Sequence, residues 1–250
     1  MKRLRHMGIW LREQALNLLY PRAACCLCCG DPRRAQEADC LCPRCRQALL
    51  DRRVPAQACN RCLSPVEKGK PCAYCRSSFM KPLEAVFAPY VYGGEVRQLI
   101  HALKFRSCGE AAPLLAQAMT DAMHRRDFDC IVPVPLHPRR EKRRGFNQSL
   151  LLARELNLRL GIPTEQLLIR TAFHRPQSRL PWSKRSANVS HAFACAGDAK
   201  GKRVLLLDDV RTTGSTARAC AEKLMAAGAE SVCLCAAAVV YRRKRALMQK

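Results

Sequence analysis

Two sets of residues in this 250-residue chain have types and spacings that can do chemistry. The first is the run Val204-Leu205-Leu206-Leu207-Asp208-Asp209-Val210-Arg211-Thr212-Thr213-Gly214-Ser215-Thr216. Its apolar start, 204–207, reads as a buried parallel strand, because such strands are continuous apolar runs. Two carboxylates follow at the C-terminal end, where open α/β sheets bind ligands. The loop of Thr212, Thr213, Gly214, Ser215 and Thr216 then leads into a helix. Small residues let backbone N–H groups approach a phosphate, and the helix N-terminus adds partial positive charge. The paired carboxylates repel phosphate but accept hydrogen bonds from sugar hydroxyls. A sugar phosphate satisfies both halves of the run. The competing reading is an Asp-rich turn that merely caps the helix through Ser215 or Thr213. The strand, both aspartates and the full loop together favour the ligand.

The second set is cysteine. Most of the 17 cysteines fall between residues 25 and 75, in the pairs Cys26-x-x-Cys29, Cys42-x-x-Cys45, Cys59-x-x-Cys62 and Cys72-x-x-Cys75. Two thiolates on one tight turn can point at one metal, and two such turns complete a tetrahedral Cys₄ site. One or two structural Zn²⁺ ions are therefore expected. Cys25 and Cys28 form an overlapping alternative to Cys26 and Cys29. Gly30 favours the latter, because a glycine there relaxes a zinc knuckle. Redox dithiols are the poorer reading, since that motif normally occurs once, between a strand and a helix.

These groups need elements to hold them. Residues 1–80 read as an N-terminal helix and a double zinc ribbon, too poor in apolar runs to build a core alone. Residues 81–250 alternate between strands expected at 85–92, 130–135, 204–207 and 232–240 and helices at 95–105, 110–124, 147–160 and 215–227. That alternation implies an α/β fold, a mostly parallel sheet with helices on both faces. Polar connections at 138–145 and 173–188 are long enough to carry function.

Charge narrows the partners. The chain has 44 Lys and Arg against 20 Asp and Glu, a formal net charge of +24. Such a field attracts polyanions. Arg12, Glu13, Gln14 and Asn17 interrupt any signal-peptide core, and no apolar stretch reaches membrane-spanning length. A cytoplasmic location is expected, where clustered cysteines bind metal more often than they form disulfides.

The Asp208-Asp209 run resembles the phosphoribosyl-diphosphate motif of type I phosphoribosyltransferases. Further motifs resemble the ComF/GntX family, associated with competence and the use of external DNA. They include Val132-Pro133-Val134-Pro135-Leu136-His137-Pro138, Arg143-Arg144-Gly145-Phe146-Asn147-Gln148, Arg170-Thr171, Gln177-Ser178-Arg179-Leu180, and Arg185 with Asn188. The resemblance runs from about Pro21 to Val240. It implies the type I phosphoribosyltransferase fold, with Asp208 and Asp209 on the ribose hydroxyls and Thr212–Thr216 on the 5-phosphate. The basic run Arg139, Arg140, Lys142, Arg143 and Arg144 would face the pyrophosphate, and the loop from Gln177 to Arg185 would close as a flap. The resemblance also implies Mg²⁺ bound with phosphoribosyl diphosphate, and as partners single-stranded DNA and proteins of the competence machinery. No hood for reading a nucleobase is recognisable, and no residue identifies a general acid or base. Two functions stay open: transfer of ribose 5-phosphate to an unidentified acceptor, or ligand sensing by a protein that handles single-stranded DNA.

Overall fold

The computed structural model describes residues 25–32, 40–67, 70–76, 80–105, 108–171 and 192–241. The cysteine-rich segment forms a pair of short helices, α1 (Pro43–Leu50) and α2 (Ala73–Arg76), each beginning inside a Cys-x-x-Cys pair. Beyond them come β1 (Val86–Phe87), β2 (Tyr90–Val91), α3 (Gly94–Phe105), α4 (Cys108–Asp121) and β3 (Cys130–Pro133). They are followed by α5 (Pro138–Arg144), α6 (Gln148–Leu160), β4 (Leu168–Arg170), β5 (Phe193–Cys195), β6 (Arg203–Arg211), α7 (Ser215–Ala226) and β7 (Ser231–Val239).

The main sheet is parallel throughout, in the order β1-β7-β6-β3, with β2 also paired to β7. β7 and the Val204–Leu207 half of β6 are apolar and buried, as strands covered on both faces must be, and the charged residues of β6 lie at its ends. Side chains alternate between two cores. Leu205, Leu207, Cys233 and Cys235 pack under α3, α4 and α6, whereas Val204, Leu206, Val232 and Leu234 pack under α7 and the β4–β5 hairpin. The cysteine-rich segment joins the sheet edge directly. Val54 N–H donates to the Pro89 carbonyl and Val91 N–H to the Arg52 carbonyl, so residues 52–54 run antiparallel to β2.

Several expectations are corrected. The strand foreseen at 85–92 is two short strands, because Pro89 interrupts the run and has no N–H to give the ladder. β6 does not stop at Leu207. It continues through the aspartates, pairing Asp208 with Ala236 and Val210 with Ala238. The connection at 138–145 is the helix α5, capped by the His137 side chain at one end and by left-handed Gly145 (φ 87°) at the other. The expected N-terminal helix and the 173–188 connection with Arg185 and the flap lie outside the described residues. No described helix is long and apolar enough to cross a membrane.

Candidate ligand site and cysteine centres

The cysteines assemble into two tetrads, Cys26, Cys29, Cys42, Cys45 and Cys59, Cys62, Cys72, Cys75, with the four sulfurs of each lying within 4.8 Å of one another. The two are built alike. In each, the first pair sits on a turn whose next residue is left-handed, Gly30 at φ 77° and Leu63 at φ 56°. The turn closes through Gly30 N–H to the Cys26 carbonyl and Leu63 N–H to the Cys59 carbonyl. The second pair of each tetrad straddles the start of α1 or α2. Sulfur contacts of 3.7 Å (Cys29–Cys42), 3.6 Å (Cys59–Cys75) and 3.5 Å (Cys62–Cys72) are far too long for disulfides. They match the edge of about 3.8 Å in a tetrahedron with Zn–S bonds of ~2.3 Å. Each tetrad can therefore hold one zinc ion.

The overlap at the first pair resolves in favour of Cys26 and Cys29. Cys28 turns away, its thiol on the Glu95 carbonyl at 3.6 Å, and burial pushes that thiol up to about 12. Cys26 moves the other way. Burial opposes ionisation, but the Cys29, Cys42 and Cys28 backbone N–H groups outweigh it and bring the thiol down to about 6. Cys59 falls to about 7 by the same balance, burial being overcome by the Cys62 and Arg61 N–H groups. Burial and the neighbouring sulfurs push the Cys45, Cys62 and Cys75 thiols the other way, so each tetrad offers one low thiol and an incoming cation has to ionise the rest.

The acid pair lies at the C-terminal end of the sheet. The Asp208 carboxylate accepts from the Asp209 N–H at 2.8 Å and from the Ser149 hydroxyl at 3.4 Å. Asp209 is ion-paired with Lys104 of α3. Beyond Arg211 the chain turns through left-handed Gly214 (φ 79°), which occupies the N-cap position of α7 without a side-chain cap. Neither Thr213 nor Ser215 is the N-cap residue. Their hydroxyls instead bond each other at 2.9 Å, and Thr213 Oγ1 accepts from Ser215 N–H at 3.3 Å.

Facing the acids is a basic collar. Arg144 of α5 donates to Gln148 at 2.5 Å and lies within electrostatic reach of Asp209. Arg170 of β4 sits over the Phe193 ring at 5.2 Å, with its Nε buried and unpartnered among the described residues, and feels both Arg140 and Asp208. The helical spacing explains which arginines converge. Positions 140 and 144 share one face of α5 and are half-buried, whereas Arg139 and Arg143 are exposed on another. Asn147 anchors this arm, donating to the Val134 carbonyl at 3.1 Å while capping α6. Thus Asp208, Asp209, the 212–216 loop, Arg140 and Arg144 come together, Arg139 and Arg143 are exposed on the other side of α5, and Lys104, Ser149 and Arg170 join the site. Lys104 and Ser149 carry no local sequence signal, because only the packing of α3 and α6 on the sheet brings them here. A cleft of about 350 Å³ lined by Val54, Val86, Asp121 and His124 lies at the junction with the cysteine-rich segment, away from this chemistry.

Crowding two acids has a cost that pH should reveal. Burial, then the Asp209 charge, raises the Asp208 carboxyl from 3.8 to about 8, so this group holds its proton in the folded protein after the unfolded chain has lost it. Stability should therefore fall as pH rises from about 4 to about 8. Asp208→Asn should remove that slope, leaving the ligand-free protein more stable above pH 8 by about 1–3 kcal/mol, the scale of relieving one poorly solvated polar group. Chemical denaturation at several pH values measures the difference. Parallel pH profiles for the two proteins would show that Asp208 does not titrate in this way.

Residues 147–250 match the phosphoribosyl transferase domain family. The DNA utilization protein YhgH of Salmonella typhimurium is 33% identical over 237 residues, spanning 90% of this chain and 95% of that protein. Competence protein F of Haemophilus influenzae is 35% identical over 128 residues, 48% of this chain and 56% of that one. Competence protein ComFC of Bacillus subtilis is 28% identical over 208 residues, 78% of this chain and 83% of that one.

Proposed function

Because the chain belongs to the ComF/YhgH family of DNA-utilization and competence proteins, we propose that it binds phosphoribosyl diphosphate with Mg²⁺ at the Asp208-Asp209 strand end and serves in the utilisation of external DNA. The observation that carries this reading is the join itself. Two carboxylates, a small-residue turn opening a helix and a collar of Lys104, Arg140, Arg144 and Arg170 meet at the C-terminal edge of one parallel sheet.

Each element suits one portion of the ligand. Asp208 and Asp209 accept from the ribose hydroxyls, and the Thr212–Thr216 turn donates backbone and hydroxyl hydrogens to the 5-phosphate. Arg144 and its neighbour Arg140 attract the pyrophosphate. The carboxylates are hard oxygen donors, suited to Mg²⁺ shared with substrate oxygens. Asp208 and Asp209 would hold the ion, and the chemistry it would supply there is charge neutralisation of the pyrophosphate. Lys104 is ion-paired with Asp209 in the ligand-free protein, so a group reaching that carboxylate would have to displace the ammonium. In a transfer reaction the ribose–pyrophosphate bond breaks through an oxocarbenium-like state. The collar stabilises the negative charge left on the pyrophosphate. Both tetrads hold zinc as structural ions, since all four positions of each are protein sulfurs.

Isothermal titration with phosphoribosyl diphosphate and Mg²⁺ tests the ligand. Asp209→Asn should weaken binding by about 10- to 150-fold, corresponding to the roughly 1.5–3 kcal/mol of a charge-assisted hydrogen bond. A mutant that binds as tightly as wild type would remove Asp209 from the ribose clamp. Scanning acceptor bases for pyrophosphate release then separates transfer from sensing.

The sensing alternative rests on a separate observation. The +24 net charge far exceeds what one small anionic ligand requires. In that reading the same pocket reports phosphoribosyl diphosphate without transferring it, while the basic surface holds single-stranded DNA.

A further inference from the structure

The second cysteine tetrad reaches the phosphate-type turn through one side chain. Tyr74 lies between Cys72 and Cys75 on α2, so two metal-ligating positions fix its backbone. Its hydroxyl donates to the Thr213 carbonyl at 2.9 Å, a bond between residues 139 apart in sequence. The fit is close: a Cβ placed on Gly214 would lie 2.4 Å from the Tyr74 hydroxyl. Gly214 is therefore required twice, by its left-handed φ of 79° and by the phenol against it.

Arg211 completes the link. It is the last residue of β6 and only 4% exposed, and its guanidinium carbon sits 5.2 Å from the centroid of the Tyr74 ring. Nε and Nη2 of Arg211 are buried with no hydrogen-bond partner among the described residues. A buried cation needs compensation. The Tyr74 ring face supplies some of it. The cysteine tetrad whose Cys72 and Cys75 bracket Tyr74 carries −2 when it holds a divalent ion, a negative charge in the same link. Cys62 of that tetrad is fully buried against the core formed by Val204, Leu206 and Leu234. Among the described residues the first tetrad has no such route, because it packs into the opposite core with Leu41 and Leu49.

We propose that Tyr74 is a positioning residue for the ligand turn: through its hydroxyl on Thr213 and its ring on Arg211, the metal-loaded second tetrad holds residues 212–216 in their binding shape. The holding of the turn stands on these contacts alone, and its effect on phosphoribosyl diphosphate rests on the function proposed above. Loss of metal from this tetrad then loosens the turn, which makes ligand affinity depend on zinc at a site that never touches the ligand.

Hydrogen exchange on the full-length zinc-loaded protein tests this without ligand. Tyr74→Phe removes only the hydroxyl, and the amides of residues 213–216 should exchange about 3- to 10-fold faster, the range set by one neutral hydrogen bond. Amides in the centre of β6 should be unaffected. Cys72→Ser should speed the same turn at least as much, while Cys29→Ser, in the other tetrad, should leave it at the wild-type rate. Unchanged exchange in Tyr74→Phe would overturn the proposal, as would equal loosening by Cys29→Ser. In calorimetry with phosphoribosyl diphosphate and Mg²⁺, Tyr74→Phe should bind about 3- to 10-fold more weakly with its zinc content intact. A looser turn with unchanged affinity would overturn the link to binding. Failure of the wild type to bind would refute the ligand reading instead, and the exchange result would still decide the role of Tyr74.

Discussion

Purified without chelator, the protein should carry two zinc ions, and Cys45→Ser and Cys62→Ser should each carry one. Cys45 is 2% exposed and Cys62 fully buried, so neither serine can recover solvent contact for its hydroxyl without local opening. In small modules of this kind structural zinc contributes folding free energy of about 10 kcal/mol or more. The apolar content of the cysteine-rich segment cannot replace it. The two losses should nevertheless differ in where they are felt. Cys26 and Cys45 belong to the core under α3, α4 and α6, together with Leu41 and Leu49. Cys62 belongs to the core under α7 with Met80, Leu83 and Val86. The tetrads thus grip one edge of the sheet from its two faces. Limited proteolysis should cut the segment around Cys45 in the first mutant and the segment around Cys62 in the second, with β6 and β7 protected in both. Elemental analysis showing no zinc would remove the metal centres altogether.

The cysteine spacing is legible because metal ligation is local: two residues between thiols set a turn, and two turns make a site. What spacing cannot decide is which of two overlapping pairs ligates. The Glu95 carbonyl on α3 captures Cys28, and that contact exists only after folding. The same division holds at the acid pair. The apolar run, the aspartates and the Thr-Gly-Ser turn are contiguous, so strand, site and helix can be read in order. Residue preference alone ends the strand too early, since aspartates rarely continue a strand and only pairing with Ala236 and Ala238 of β7 carries β6 through them. Helix α5 escapes sequence reading for another reason. Its residues, PRREKRR, have no apolar stripe to reveal a period, although Pro138 at the start and Gly145 at the end are helix signals by position. Lys104 and Tyr74 lie beyond its reach, because nothing near either residue in sequence points to Asp209 or Thr213.

Binding of single-stranded DNA should be steeply salt-dependent and nearly indifferent to sequence. The net charge of +24 falls to about +20 once two tetrads hold zinc, still a strong attraction for a polyanion. The structure separates arginines on the outer surface from those turned inward. Arg52 is half-buried against Gly93 and Gly94 and ion-paired with Glu95 at 3.5 Å, so its charge is used inside the fold. Arg144 and Arg170 face the acid pair. Arg44, Arg46 and Arg53 are exposed on the cysteine-rich segment, and Arg139 and Arg143 are exposed on α5. Each phosphate neutralised on a single strand contributes about −0.7 to the slope of log affinity against log salt, so a grip on about four phosphates would lose ~50-fold between about 50 and 200 mM. Replacing Arg44, Arg46 and Arg53 together with glutamine should flatten that slope by about 2. Asp209→Asn should leave it unchanged, because in the proposed function the acid pair serves the small ligand and not the nucleic acid. Gel-shift titrations of wild type and both variants at several salt concentrations measure the slopes. If no complex forms even at the lowest salt, the surplus charge keeps the protein soluble, and the collar arginines serve pyrophosphate alone.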